Sequence, residues 1–449
     1  MNSPSLIPFN DLSRTPPEVM AKIKDAIAQV LASGWFVMGP QHSQLEQELG
    51  TYLGVSDAVL VANGTDALEL ALAAVGVGAG DQVMTVANAG AYTSVAARLL
   101  GAVPVYCDVS SDTLLMTPET FETALAGLAE VPKAVVVTHL YGALSPVEAI
   151  VSIARRYGIA VVEDCAQSLG AHADGRMGGT FGDIATTSFY PTKNLGALGD
   201  GGAVLTNSPE LAESVRRMRQ YGWDSKYHIA HAHGRNSRMD EIQAAIVRVK
   251  LPLLDGWNAR RREIHALYES ASSDSARLVN SASDSFTAHL AVLVGDNREA
   301  LRATLHENGI GTDVHYPVPD HRQVFPDFTP QQGSLTVTEW AARAVFSVPM
   351  FLELTDAEAL RIRDALEKLW VIDEQPGAAC EITRCGTEGI RRCKGFARRG
   401  RGGCAASLHR RTHFHHLRCP GGRAPRHPCP SCMRTVSGLR ERIGQSDGR

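Results

Sequence analysis

The chain has 449 residues, of which 44% are hydrophobic and 20% charged, and its formal net charge is −4. This length predicts at least two domains, and the small net charge favours neither nucleic acid nor a membrane surface as the main partner. No apolar run approaches the ~20 residues of a membrane-spanning helix, and the N-terminus lacks the basic and apolar stretches of a signal peptide, so we expect a cytoplasmic protein.

Strands and helices alternate along the first half of the chain. Two amphipathic helices are predicted first, over 20–31 and 44–53. Strands are then predicted over 58–62, 82–86, 103–107, 134–138, 159–163, 186–190 and 202–206, and helices over 67–75, 94–100, 146–157 and 209–221. We expect Thr65 to cap the helix over 67–75. Continuous apolar strands separated by helices indicate a parallel sheet buried on both faces.

The second half of the chain predicts a smaller unit. Helices are predicted over 240–251, 257–268, 298–308, 338–346 and 356–369, and strands over 287–294 and into 315–317. The segment 270–284 is rich in Ser, Ala and Asp and indicates a surface connection. We therefore predict a large domain over 1–250 and a small C-terminal α+β domain over 251–374.

The end of the chain differs in composition from the rest. Residues 376–449 carry sixteen Lys or Arg against four acidic residues, and seven of the nine cysteines lie between Cys380 and Cys432. Such a segment cannot bury enough apolar surface to offset its ordering entropy, so we predict a disordered basic tail over 375–449. Alternatives are a zinc knuckle, which the cysteine and histidine spacing fits poorly, nucleic-acid binding through the arginines, and an out-of-frame reading of GC-rich DNA. No metal site is predicted.

A single lysine lies in a glycine-rich loop between two predicted strands. Lys193 follows the strand over 186–190, and glycines at 196, 199 and 201 come directly after it. Most loop lysines are solvated, but a desolvated one can act as a Schiff-base nucleophile. Because ligands of open α/β sheets lie beyond the carboxyl ends of the strands, we expect Lys193 to lie near Asp164 and near the Gly64–Thr65 turn.

These other strand ends carry groups that suit pyridoxal phosphate (PLP). Asp164 ends an apolar strand, where a carboxylate is costly unless it is paired. It can pair with the pyridine nitrogen of PLP, which also requires a Schiff-base lysine, or it can cap a following helix. Gly64 and Thr65 begin a helix whose N–H groups can bind a phosphate, and Ser188 can add a hydroxyl, although many such turns bind no anion.

Several motifs occur in a characteristic order. They include Asn63-Gly-Thr-Asp-Ala-Leu68, His139-Leu-Tyr-Gly142, Glu163-Asp-Cys-Ala-Gln167, Ser188-Phe-Tyr-Pro-Thr-Lys-Asn-Leu195, Gly199-Asp-Gly-Gly202, Asn236-Ser-Arg-Met-Asp-Glu241 and His315-Tyr-Pro317. With these motifs, residues 6–370 closely resemble the DegT/StrS family of PLP-dependent nucleotide-sugar aminotransferases. The resemblance implies the α/β fold of type I PLP-dependent aminotransferases, with a mostly parallel sheet in the large domain.

The resemblance also implies roles for individual residues. Lys193 would bind PLP covalently and transfer protons, Asp164 would keep the pyridine nitrogen protonated, and Gln167 would contact the 3-oxygen side of the ring. The PLP phosphate would be held by Gly64, Thr65, Ser188 and, from the second subunit of a homodimer with shared sites, Asn236. The sugar substrate would lie near His315 and Tyr316; the alternative for His315 is a packed histidine at a strand end.

One position departs from the family pattern. Family members usually carry an aromatic residue that stacks on the PLP ring, and Gly90 stands at that position here. Tyr92, two residues later, is the candidate to replace it.

The implied reaction is a transamination. L-glutamate would donate the amino group and a keto-deoxysugar linked to a nucleotide, dTDP, would accept it. The segment 221–228 resembles that of enzymes that make 3-amino-dideoxyhexoses on dTDP and favours amination at C3 over C4, in a pathway to a cell-surface polysaccharide or an antibiotic. A second alternative is a PLP-binding regulatory protein without turnover, although Lys193 and Asp164 are both retained.

Overall fold

The apolar segments of the first half build a seven-stranded central sheet. This computed structural model describes residues 5–273, 275–325 and 334–369, all within one compact unit. The predicted tail over 375–449, with its alternative zinc and nucleic-acid functions, lies outside the described residues. The strands are β1 (Asp57–Val61), β2 (Gln82–Val86), β3 (Val103–Cys107), β4 (Ala134–Thr138), β5 (Ala160–Asp164), β6 (His172–Ala173), β7 (Arg176–Met177), β8 (Ile184–Ser188), β9 (Gly202–Thr206), β10 (Trp223–Ser225), β11 (His228–Ile229), β12 (Arg277–Leu278), β13 (Ala291–Val294) and β14 (Val345–Val348).

The helices cover the sheet and build much of the C-terminal part. They are α1 (Pro17–Ser33), α2 (Pro40–Leu53), α3 (Gly64–Ala74), α4 (Tyr92–Leu99), α5 (Pro118–Ala126), α6 (Val147–Tyr157), α7 (Pro209–Met218), α8 (Glu241–Lys250), α9 (Leu254–Glu269), α10 (Arg298–Glu307), α11 (Thr336–Ala344) and α12 (Asp356–Lys368). None of the described helices is both long and apolar enough to cross a membrane.

The central sheet is mostly parallel, as predicted. Its order is β1-β9-β8-β5-β4-β2-β3, and only β9 runs antiparallel to its neighbours β1 and β8. Successive residues of a strand point to opposite faces, and Val161 and Val162 of β5 are buried in separate apolar clusters. Apolar residues are therefore required on both faces, which explains the unbroken apolar strands of the sequence.

The parallel register gathers the functional candidates at one edge. In β5, Asp164 pairs with Thr138 of β4 and with Thr186 of β8. The carboxyl ends of these three strands thus lie side by side. The strand predicted over 186–190 ends two residues earlier, at Ser188, so that Ser188 itself stands at this edge.

The C-terminal part contains a three-stranded antiparallel sheet of order β12-β13-β14. The helix predicted over 338–346 was wrong at its end: α11 stops at Ala344, and Phe346 pairs with Leu293 in β14, because pairing with β13 overrides the helical periodicity. The strand predicted into 315–317 was also wrong, since Asp313 forms only an isolated bridge to Ser347. The domain boundary near residue 250 stays a prediction.

Candidate active site

A cavity of about 650 Å³ opens where the starts of α3 and α4 meet the ends of β5 and β8. Eight of the residues singled out in the sequence line it: Gly64, Thr65, Tyr92, Asp164, Ser188, Lys193, His315 and Tyr316. They come from segments up to about 250 residues apart in the chain. The fold therefore brings them together in one place, as expected from their positions at strand ends.

Lys193 lies in the loop that follows β8. Its N–H donates to the carbonyl of Tyr190 (2.8 Å), which closes a tight turn. Burial in the cavity lowers the pKa of Lys193 to about 8, and the charge of Asp164 opposes this shift. Within the described residues, the ammonium group has no hydrogen-bond or ion-pair partner at close range. Lys193 is thus a desolvated lysine with a substantial neutral fraction at physiological pH.

The pKa of Lys193 leads to a prediction for the ligand-free protein. Only the neutral amine reacts with an acylating reagent, so acylation of Lys193 should rise with pH with a midpoint near 8, about two units below that of an exposed lysine. In Asp164→Asn the midpoint should fall further, because the charge of Asp164 favours the ammonium form. Competitive acylation read by mass spectrometry measures both midpoints; a Lys193 midpoint near 10 would show a solvated amine instead.

Asp164 ends β5 at the floor of the cavity and is only 7% exposed. Its Oδ1 accepts a hydrogen bond from the N–H of Ala166 (3.1 Å), and the nearby hydroxyl of Thr138 also acts to lower its pKa. Burial raises the pKa of Asp164, although this hydrogen bond and the charge of Lys193 oppose the shift. The alternative role as a helix cap is not realised, because β5 is followed by the β6–β7 hairpin. The carboxylate is therefore short of a cationic or N–H partner in the cavity.

The start of α3 forms a wall with free N–H groups. Asn63, not Thr65 as predicted, caps the helix: its Oδ1 accepts from the N–H of Asp66 (2.8 Å). Within the described residues, the N–H groups of Gly64 and Thr65 have no acceptor, and the hydroxyl of Thr65 remains available. A side chain at Gly64 would place a Cβ 2.7 Å from Ser188 Cβ. Only glycine lets this helix start and Ser188 approach closely enough to share one anion.

Gln167 supports the cavity from behind rather than lining it. Its Oε1 accepts from the backbone N–H of Tyr141 (2.7 Å), and its Nε2 donates to the hydroxyl of Tyr316 (3.1 Å). The hydroxyl of Tyr141 in turn donates to the carbonyl of His315 (2.8 Å). Gln167 thus fixes the segment that carries His315 and Tyr316.

Asn236, like Gln167, is absent from the cavity lining. It is exposed and forms an isolated bridge to Gln220 beside the β10–β11 hairpin. This position leaves its side chain free for a second subunit, and its contact with a phosphate stays a prediction.

The structure explains why glycine replaces the usual aromatic residue at position 90. Gly90 has φ +82°, and a Cβ there would lie 3.0 Å from ring atoms of both Tyr316 and Tyr92. The rings of Tyr92 and Tyr316 meet edge to face, with centroids 6.4 Å apart. Tyr92 therefore occupies the space that a larger side chain at position 90 would need.

Sequence reasoning missed His289, which lines the cavity and is 7% exposed. Its Nδ1 lies 2.9 Å from Asn194 Oδ1, which must accept the hydrogen bond because Asn194 Nδ2 donates to Asn258 Oδ1 (2.8 Å) and to the carbonyl of Thr287 (3.0 Å). Burial lowers the pKa of His289 well below its usual value. His289 is thus neutral, with Nε2 unprotonated. In a single sequence, a lone histidine before an apolar strand does not indicate that it is neutral or that it lines a cavity.

The buried group of His139, Glu163 and Cys165 could resemble a metal site. The Glu163 carboxylate, however, accepts from the N–H groups of Gly179, Phe181 and Gly182 and from His139 Nε2 (2.7–3.0 Å). His139 Nδ1 accepts from the N–H of Ser145 (3.1 Å). The lone pairs of Glu163 and His139 are therefore already used in hydrogen bonds that stabilise the fold next to Asp164.

The arrangement of a desolvated lysine, a buried carboxylate and a free helix start agrees with a family comparison. The sequence model described as the DegT/DnrJ/EryC1/StrS aminotransferase family matches residues 17–367. The chain belongs to this family. The family resemblance and the aminotransferase fold expected from the sequence are thereby confirmed, and the chain is an aminotransferase.

Relatives within the DegT/DnrJ/EryC1/StrS family include enzymes named for nucleotide sugars. A dTDP-3-amino-3,4,6-trideoxy-alpha-D-glucose transaminase from Streptomyces venezuelae is 39% identical over 367 residues, 81% of this chain and 96% of the relative. A UDP-2-acetamido-2-deoxy-3-oxo-D-glucuronate aminotransferase from Pseudomonas aeruginosa is 37% identical and covers 80% of this chain and 99% of its own. The crystal structure of S. venezuelae DesV in complex with a ketimine intermediate matches with a TM-score of 0.76 and 38% identity, over 83% of this chain and 100% of DesV.

Proposed function

We propose that this aminotransferase uses PLP to transfer the amino group of L-glutamate to C3 of a keto-deoxysugar linked to dTDP. The observation that carries the proposal is the convergence of Lys193, Asp164 and the free start of α3 in one cavity. Each meets a different requirement of PLP: a neutral amine, a carboxylate and an anion site.

The described residues fit PLP by their unused hydrogen-bonding groups. The free N–H groups of Gly64 and Thr65, with the Thr65 and Ser188 hydroxyls, suit a phosphate at a helix N-terminus. The Asp164 carboxylate, which accepts a single N–H, suits a protonated ring nitrogen. When bound, PLP supplies an electron sink and carries the amino group between the two substrates.

The remaining work falls to side chains of the cavity. Lys193, neutral in part near pH 7–8, would hold the cofactor through its amine, and the same amine could afterwards move a proton at the donor. Asp164 would keep the ring nitrogen of PLP in its charged form, and Tyr92, which lines the same cavity, would cover the ring. His315 and Tyr316, which also line the cavity, would orient the sugar.

Two observations support C3 as the position of amination. The names of both relatives described above place the amino or oxo group at position 3, and segment 221–228 resembles that of 3-amino-dideoxyhexose enzymes. The relatives differ in nucleotide, and we propose dTDP because it is carried by the relative named for a trideoxyhexose, whereas the UDP relative is named for a glucuronate. Amination at C4 is the alternative for the enzyme, and a PLP-binding regulator is the alternative without turnover.

The substrate proposal is tested with purified holoenzyme and four keto sugars. We expect L-glutamate to aminate a dTDP-3-keto-6-deoxyhexose, with kcat/KM at least about tenfold above that for the 4-keto isomer or the UDP analogues, since one mismatched polar group costs ~1–3 kcal/mol. Product NMR identifies the aminated carbon. Faster turnover of the 4-keto sugar would overturn the regiochemistry, and binding of PLP without turnover of any of them would favour the regulator.

We further propose that the protein forms a homodimer in which each active site uses residues of both subunits. We also propose that it is cytoplasmic. Asn236 is exposed and outside the cavity of its own subunit, which suits a residue that completes the phosphate site of a second copy. Cys107 and Cys165 are free and buried, as is usual in a reducing compartment.

A further inference from the structure

Asp320 connects the segment after Tyr316 to the turn before α4. Its N–H donates to the carbonyl of Ala87 (2.8 Å). Its carboxylate accepts from the N–H of Ala91 (2.9 Å, to Oδ1) and from the hydroxyl of Ser94 (2.6 Å, to Oδ2). The side chain is only 1% exposed. Three hydrogen bonds, two of them to the buried carboxylate, thus join Asp320 to the segment 87–94, although Asp320 lies 229 residues from Ala91.

The turn needs such support because its own residues do not stabilise it. Gly90 (φ 82°) and Ala91 (φ 66°) both adopt left-handed conformations, which are unfavourable for an alanine because its Cβ approaches the following carbonyl oxygen. Ala91 is the N-cap residue of α4 and offers no side-chain cap. Asp320 therefore supplies the missing cap, and its negative charge suits the positive end of the helix dipole.

The charge state of Asp320 agrees with this role. Burial raises the pKa of Asp320 to about 6, while the hydrogen bonds from Ser94 and Ala91 oppose the shift. The carboxylate is therefore largely ionised at neutral pH, where it can accept both hydrogen bonds.

The cap at the start of α4 positions a residue that lines the cavity. Tyr92 is the first residue of α4, is 50% exposed, and lines the cavity together with Tyr316, its edge-to-face partner. Tyr316 lies four residues before Asp320 in the same segment. Asp320 thus links the two parts of the chain that carry the two tyrosines.

We propose that Asp320 is a positioning residue that caps α4 from a distant segment and thereby holds the Tyr92 ring against the cofactor. The proposal rests on the proposed function, because it takes Tyr92 to cover the ring of PLP. It adds to that function a residue that touches neither cofactor nor substrate.

The chain offers a matched control for loss of a helix cap alone. Asp108 caps α11 in the same manner: it accepts from the N–H groups of Val337 (2.9 Å) and Thr338 (2.8 Å) and from the Thr338 hydroxyl (2.8 Å). None of these residues lines the cavity. Asp108→Ala therefore reports the cost of a lost helix cap without a change at Tyr92.

The test is a double-mutant cycle on PLP affinity, measured by quenching of protein fluorescence, with the visible circular dichroism of bound PLP as a second readout. We expect Asp320→Ala to weaken PLP binding about tenfold and to lower the dichroic band by more than half, close to the effect of Tyr92→Ala. In the Tyr92→Ala background, Asp320→Ala should add less than about twofold, because residues that act through one contact are not additive. Asp320→Asn, which retains an acceptor for the Ala91 N–H, should restore most of the affinity.

Additive effects in the double variant, or an equal loss in Asp108→Ala, would overturn the proposal. If Asp320→Ala does not fold, Ser94→Ala in the same cycle with Tyr92→Ala tests the coupling, with an expected loss of about threefold that vanishes in the Tyr92→Ala background. Wild-type protein that takes up no PLP would contradict the proposed function instead. Hydrogen exchange of ligand-free protein would then still decide the capping role: exchange over 89–96 should be faster in Asp320→Ala and unchanged in Asp108→Ala.

Discussion

Replacing Lys193 with alanine is expected to lower turnover at least about 1,000-fold, because the variant loses both the amine that binds the cofactor and the group that moves protons. Burial lowers the pKa of this lysine to about 8. Part of the population is therefore neutral near physiological pH and suited to both steps. The variant should still bind PLP through the start of α3, but without the visible absorbance band of lysine-bound PLP. Absorbance spectra and single-turnover assays with L-glutamate measure the two effects.

The control for this variant is Lys133→Ala, which removes an exposed lysine outside the cavity. It should retain the absorbance band and full turnover. A Lys193→Ala protein that keeps the band, or a wild-type protein that stays colourless with PLP, would contradict the assignment of Lys193.

Replacing Asp164 with asparagine is expected to lower turnover about 100- to 1,000-fold while making the ligand-free protein more stable. The loss follows from removing a preorganised charge beside the ring nitrogen. The gain in stability follows from the direction of the pKa shift. Because burial raises the pKa of Asp164 above its unfolded value, the folded state binds the proton more tightly, and stability falls as pH rises through the folded pKa. The neutral asparagine side chain removes this penalty, so the free energy of unfolding should rise by about 1 kcal/mol.

The neighbouring carboxylate provides a control with the opposite sign. Burial acts to raise the pKa of Glu163, but the hydrogen bond and charge of His139 and the hydrogen bonds from the N–H groups of Gly182 and Gly179 lower it overall. Its charged form therefore stabilises the fold at pH values above the unfolded pKa, and this contribution is lost as pH falls through the folded pKa. Glu163→Gln should destabilise the protein by about 1–3 kcal/mol. Urea unfolding of both ligand-free variants at pH 7 measures the two signs; destabilisation by Asp164→Asn would show that its carboxylate is satisfied in the fold.

Local patterns in the sequence were sufficient for much of the fold. The predicted bounds of β2, β3, β4 and β9 match those observed, since five-residue apolar runs bounded by turns leave little freedom of assignment. Phe346 shows the limit of such patterns: its helical periodicity was real, but pairing with Leu293 placed it in a strand. The boundary between this helix and the following strand depends on a pairing partner about fifty residues away, which no local sequence window contains.

The candidate site divides in the same way. The sequence by itself determined the family, the lysine in its glycine-rich loop and the strand-end carboxylate, because each is encoded in a short motif whose parts are neighbours in the chain. Only the tertiary structure decided what surrounds them: why position 90 is glycine, that His289 is neutral and in the cavity, and that Asp320 caps the helix of Tyr92. These features depend on steric space and hydrogen bonds between segments far apart in the chain, and the free energy of such contacts is set by packing, not by the composition of either segment alone.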